Sequence, residues 1–208
     1  MAFDVPPLPA DEIHVWRLPW STDASQAPPF LALLAGYAGP GAPEVLRGEH
    51  GKPHFGGSAG ALGFSWSHSG DTALFAAGRG PIGFEVGVDV ERVRPRARAL
   101  ELAARFFAPD ETAWLSGLPP ERVLAGFLAL WTAKEAVLKA HGGGLSYGLH
   151  RAAFILGADG TPVPHAFDGD IAPAAGWQVQ RLAMGEGLVA AVAWRGEPRK
   201  VRVFTIAL

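Results

Sequence analysis

The chain of 208 residues contains no cysteine. That absence excludes disulfide bonds, thiolate zinc centres and a thiol nucleophile. It also lacks a dominant charge. Lys and Arg number 18 against 20 Asp and Glu, a formal net charge of -2, which argues against a general nucleic-acid surface. No apolar run is long enough to cross a bilayer, so no membrane contact is expected. The opening Met1-Ala-Phe-Asp-Val-Pro-Pro has no basic stretch leading into an apolar one, so no signal peptide is expected, and the cytoplasm is the expected location. Between Trp20 and Glu44 there is no Lys or Arg at all. What is present is 49% hydrophobic and 18% charged, the balance of a globular protein, with length for one large domain or two small ones.

The most informative stretch is Leu124-Ala-Gly-Phe-Leu-Ala-Leu-Trp-Thr-Ala-Lys-Glu-Ala-Val-Leu-Lys139. Leu124, Phe127, Leu128, Leu130, Trp131, Val137 and Leu138 recur at helical spacing. Pro119 and Pro120 suit a first turn, and Gly142-Gly143-Gly144 is a C-terminal stop. Trp131, Glu135 and Lys139 are each four apart and share one face, with Lys134 to one side. A Glu four residues before a Lys is also an ordinary solvated pair, worth roughly 0.2–0.5 kcal/mol.

A second stretch, Ile82-Gly-Phe-Glu-Val-Gly-Val-Asp-Val-Glu91, reads as a strand. Asp89 and Glu91 flank Val90 and project to the same side. Two like charges so placed repel unless a cation lies between them, or unless the strand end simply faces water. Together with Glu135 they would supply three hard oxygen donors suited to Mg²⁺, with Mn²⁺ as an alternative, and Lys139 beside them would suit charge building up on a leaving phosphate.

Gly87-Val-Asp-Val-Glu91 followed by Trp131-Thr-Ala-Lys-Glu-Ala-Val-Leu-Lys139, with Gly51-Lys52-Pro53 and Ser67-His68-Ser69 upstream, resembles the signature of the 4′-phosphopantetheinyl transferase superfamily. Length and N-terminal extension resemble its larger, monomeric, two-subdomain (Sfp-like) kind. The resemblance implies coenzyme A as donor, a serine of an acyl- or peptidyl-carrier protein as acceptor, and 3′,5′-ADP as leaving group. It implies a metal held by Asp89, Glu91 and Glu135. Glu135 and Lys139 would be catalytic, Glu135 taking the serine proton directly or through a water. Lys52, Pro53, Ser67, His68, Lys134 and Lys139 would lie at coenzyme A, with Lys134 supporting a phosphate or the helix itself. The implied fold is α+β: two similar α/β subdomains (1–95 and 96–208) related by a pseudo-two-fold axis, antiparallel sheets each carrying a long helix, and an active-site cleft between them.

The chain departs from the family in the stretch without Lys or Arg, where larger members carry a basic helix for the coenzyme A 3′-phosphate. Arg92, Arg94, Arg96 and Arg98 form a local positive run that fits a solvated linker, a landing surface for an acidic carrier protein, or help with the phosphates. Two other readings stay open: a Mg²⁺-dependent pyrophosphatase, and a non-catalytic module binding coenzyme A or a carrier protein. Elsewhere, Glu12–Leu18, Glu44–Leu46, Leu62–Ser69, Thr72–Gly78 and Ala152–Leu156 read as strands. Phe30–Tyr37 and Ala97–Phe106 read as helices, and a third starts at Pro109. Ser21–Pro29, Gly142–Gly148 and Gly157–Ala175 read as loops. Trp177–Met184, Leu188–Arg195 and Arg199–Ile206 alternate as an antiparallel meander.

Overall fold

The computed structural model describes residues 4–21, 30–40, 44–157 and 159–206. Most of the loop expected over Ser21–Pro29 lies outside them. The strands are β1 (Glu12–Pro19), β2 (Val45–Arg47), β3 (Pro53–Phe55), β4 (Leu62–Ser69), β5 (Thr72–Arg79), β6 (Val86–Arg92), β7 (Ala152–Leu156), β8 (Pro162–Phe167), β9 (Trp177–Leu182), β10 (Leu188–Arg195) and β11 (Lys200–Thr205). The helices are α1 (Phe30–Ala38), α2 (Ala99–Phe106), α3 (Pro109–Ser116), α4 (Pro120–His141) and the single turn α5 (Gly144–Tyr147).

The fold is α+β, as read from the sequence. One sheet has the order β11-β1-β5-β4 and a second β6-β10-β9, with small pairs β2-β3 and β7-β8. Side-chain alternation stacks these into layers. On β1, Ile13 and Val15 face Val86, Val88 and Val90 of β6 and Ala190 and Val192 of β10, forming a core between the two sheets. Trp16 and Leu18 face the other way, onto Phe30, Leu33, Leu34 and Tyr37 of α1. The opposite face of β10, through Val189, Ala191 and Ala193, packs on α4. The helices differ in size: α1 has 9 residues and α4 has 22. Helix α4 begins beside Pro119 and Pro120 and ends at Gly142, whose φ of +91° lets its N–H bond the Leu138 carbonyl.

Two expectations are corrected. The last three segments are not one meander. Strand β10 is already paired antiparallel on one side with β9 and on the other with β6, so it offers no free edge. Strand β11 instead lies parallel to β1, with Lys200 opposite Glu12, and Phe204 stacks on Trp16 at 4.6 Å. Sheet membership therefore crosses position 95 in both directions, because β6 pairs with β10 and β11 with β1. The stretch expected to be loop-rich after Gly157 contains β8, whose Pro162 and Pro164 are tolerated in a two-stranded edge pairing with β7. No helix of the described residues is long and apolar enough to cross a membrane.

Candidate active site

The site is built where β6 meets α4. A Cβ on Gly87 would lie 1.9 Å from the Ala136 carbonyl oxygen and 2.4 Å from the Ala140 nitrogen. Only glycine permits that approach, and on a strand Gly87, Asp89 and Glu91 share one side. The valines between them fill the inter-sheet core, so the acidic side is the one turned to α4.

Asp89 is 5% exposed. Its Oδ1 accepts hydrogen bonds from Lys139 Nζ at 2.7 Å and from Ser67 Oγ at 2.7 Å. Lys139 Nζ also donates to Ser67 Oγ at 2.8 Å. Glu91 Oε2 accepts from Arg96 at 2.6 Å and from Ser69 Oγ at 3.2 Å. Glu135 is 8% exposed, and burial followed by the negative charge of Asp89 pushes its carboxyl up to about 7, Lys139 opposing and Glu91 reinforcing the rise. Asp89 Oδ2 and Glu135 Oε1 are both buried without a hydrogen-bond partner. Buried orphan carboxylate oxygens are costly and demand a counterpart. Two of them on adjacent elements, with Glu91 on the same strand face as Asp89, fit a hard divalent cation. Among the described residues, no three His, Cys, Asp or Glu side chains are gathered closely enough to hold an ion as they stand.

Of the residues expected at coenzyme A, Lys52, Pro53 and Lys139 line one cavity of about 210 Å³, together with His50, Trp66 and Gly142. Lys52 Nζ donates to the Ala140 carbonyl at 2.7 Å and pairs with Glu85, tying β3 to the end of α4. Burial lowers the Lys52 pKa and raises that of Glu85. Ser67 faces Asp89 rather than this cavity. His68, on the opposite side of β4, is exposed and stacks on Trp20 at 4.4 Å and on Trp66 at 5.8 Å.

Lys134 lies elsewhere. It has no exposed surface, and its ammonium meets Glu111 Oε2 at 2.7 Å and the carbonyls of Leu149 and Ala152. An expected coenzyme A contact is thus replaced by a buried tether, because one residue along a helix rotates a side chain by about 100°. Burial draws Lys134 down to about 8, against the pull of Glu111. The arginine run is not a bare positive patch either. Arg92 pairs with Asp71, Arg96 with Glu91 and Arg98 with Glu101. The sequence reading missed Glu111, Glu85, Ser65 and the role of Gly87. Only the last two left a local trace, a glycine inside a β-branched run and a serine at every second position.

The chain is similar to proteins of one known family. Residues 85–193 match the family described as the 4′-phosphopantetheinyl transferase superfamily. The chain is 31% identical over 225 residues to the 4′-phosphopantetheinyl transferase HetI of Nostoc sp., covering 91% of this chain and 90% of that one. It is 48% identical over 103 residues to the 4′-phosphopantetheinyl transferase AcpT of Salmonella typhi, a match spanning 49% of this chain and about half (50%) of that relative's length. It is 42% identical over 97 residues to the 4′-phosphopantetheinyl transferase psf-1 of Bacillus pumilus, covering 47% and 39%. With its two motifs meeting across β6 and α4 and 91% of its length matched to HetI, the chain belongs to the 4′-phosphopantetheinyl transferase superfamily.

Proposed function

We propose that this protein transfers the 4′-phosphopantetheine group of coenzyme A to a serine of an acyl- or peptidyl-carrier protein, with Mg²⁺ and as a cytoplasmic monomer, releasing 3′,5′-ADP. The observation that carries this reading is the pair of buried, unpartnered oxygens, Asp89 Oδ2 and Glu135 Oε1, beside the ammonium of Lys139. Asp89, Glu91 and Glu135 would hold Mg²⁺ or Mn²⁺, which when bound supplies positive charge against the pyrophosphate of coenzyme A. The 210 Å³ cavity beside Lys52 and Pro53 suits the adenylate end of coenzyme A.

The serine oxygen forms a bond to the phosphorus that carries pantetheine, and the bond from that phosphorus to the 3′,5′-ADP oxygen breaks. Glu135, held near neutrality, is matched to accept the serine proton. A carboxylate that also holds a cation is a weaker base, so transfer through one water is the alternative route. Lys139 faces the developing negative charge and stabilises or protonates the leaving phosphate. Lys134, sealed behind α4, keeps the helix in place.

Mass spectrometry of an apo-carrier protein incubated with coenzyme A, Mg²⁺ and this chain tests the reading. A phosphopantetheine adduct on the carrier serine is expected. Release of phosphopantetheine without a carrier would indicate a pyrophosphatase, and coenzyme A binding without transfer a binding module; either result overturns the proposal.

A further inference from the structure

We infer that Ser65, Ser67 and Ser69 form a hydroxyl ladder that stitches the edge of one sheet to the edge of the other and, through it, positions Asp89 and Glu91. The positioning part rests on the reading of those carboxylates as metal-binding. Strand β4 ends the first sheet and β6 ends the second. Each uses one edge for its own sheet, on β5 and β10 respectively. Their remaining edges adjoin, yet among the described residues no backbone hydrogen bond joins β4 to β6. Buried edge groups must find partners.

The serines supply them. Ser65 Oγ accepts the Val88 N–H at 3.2 Å, and Ser69 Oγ accepts the Arg92 N–H at 3.0 Å. The hydroxyl protons of Ser67 and Ser69 go to Asp89 Oδ1 and Glu91 Oε2. All three serines are buried, at 7%, 7% and 8% exposure. A hydroxyl is the smallest side chain that both donates and accepts, which this seam requires. The approach is close from its start, since a Cβ on Gly63 would lie 2.4 Å from the Phe84 carbonyl oxygen.

The consequence for the site is specific. Each hydroxyl engages one oxygen of its carboxylate, which decides which oxygen remains. Ser67 and Lys139 occupy Asp89 Oδ1, and Oδ2 is the orphan. Ser67 is the hub, donating to Asp89 while accepting from Lys139, so one hydroxyl sets the spacing between a carboxylate and the proposed catalytic ammonium. Ser65, which also borders the cavity beside Lys52, hydrogen-bonds backbone of β6 and neither carboxylate, so it serves as an internal control for Mn²⁺ binding.

The test combines Mn²⁺ titration by calorimetry with amide hydrogen exchange on the full chain. Ser67→Ala is expected to weaken Mn²⁺ binding about 10-fold, in the range seen when a residue orienting a metal ligand is lost. Ser67→Thr, which keeps the hydroxyl, should restore most of it. Ser65→Ala should leave Mn²⁺ affinity unchanged and speed exchange at Val88. Ser69→Ala should do both, weakening Mn²⁺ binding and speeding exchange at Arg92. Unchanged Mn²⁺ affinity in both Ser67→Ala and Ser69→Ala overturns the positioning role. Unchanged exchange in both Ser65→Ala and Ser69→Ala overturns the stitch. If the unaltered protein binds no Mn²⁺, the metal reading and the positioning role fall together, while the exchange rates still decide the stitch. Should Ser67→Ala fail to fold, Ser67→Thr and Ser69→Ala carry the comparison.

Discussion

Helix α4 carries two lysines five positions apart, Lys134 and Lys139, and each is paired with a carboxylate from another element. On the Lys134 side everything is matched. The ammonium has three acceptors, in Glu111, Leu149 and Ala152. Glu111 in turn accepts the N–H groups of Ala108 at 2.9 Å and Phe154 at 2.8 Å, tying α3 and β7 to the helix. On the Lys139 side the matching is incomplete. The lysine is 28% exposed, and Asp89 and Glu135 each keep an oxygen without a partner. The same chemistry on one helix thus serves two ends: a closed network holds the fold, and an open one is left able to take up a ligand. A buried ion pair with all partners satisfied says little about function, whereas an unsatisfied one in a cleft does.

The comparison can be broken in order of expected effect. Lys134→Ala should strand Glu111 as an uncompensated buried charge and lower unfolding free energy by about 3–5 kcal/mol in denaturant titrations. A drop below 1 kcal/mol would mean that the closed network is not closed. Glu135→Gln or Asp89→Ala should leave the denaturation midpoint near that of the parent and cut transfer by about 10³-fold or more, the scale of losing a preorganised electrostatic group. Near-normal turnover would contradict the assignment of the open network. Lys139→Ala should reduce kcat by about 10²-fold while changing KM for the carrier protein far less, since its charge acts on the leaving group. A change confined to KM would make it a binding residue only.

The mildest effect concerns pH. The Glu135 carboxyl is raised from 4.5 to about 7 in the folded, metal-free chain. Between those values the folded state holds a proton that the unfolded state has released, so stability is fully present below about 4.5 and declines as pH rises toward 7. Thermal melts in a chelator should show that slope, Glu135→Gln should flatten it, and added Mg²⁺ should oppose it. A chelated protein whose melting point is level over this range would remove the carboxyl from the open network.

Much of the site was legible because its signals are local. The start and stop of α4, the shared side of Asp89 and Glu91, and the shared face of Glu135 and Lys139 follow from proline, glycine and the periods of helix and strand. What was not legible is which partner a side chain meets across the fold. Helical spacing places Lys134 beside Glu135 but is silent about Glu111 and the carbonyls of residues 149 and 152. Alternation gives the faces of β11 but not the edge it joins, which depended on both edges of β10 being taken. Serines at every second position of β4 were visible, but the mating strand was not.

The bare α-carbon at position 87 has a reach beyond its own contact. Because one hydrogen stands where a methyl would collide with the Ala136 carbonyl, strand and helix run at touching distance at that crossing. A single missing carbon thereby sets the gauge at which two stretches of chain, written more than forty residues apart, are brought into register. Widening that gauge by an atom's breadth would leave every acidic and basic group intact and still pull them out of reach of one another.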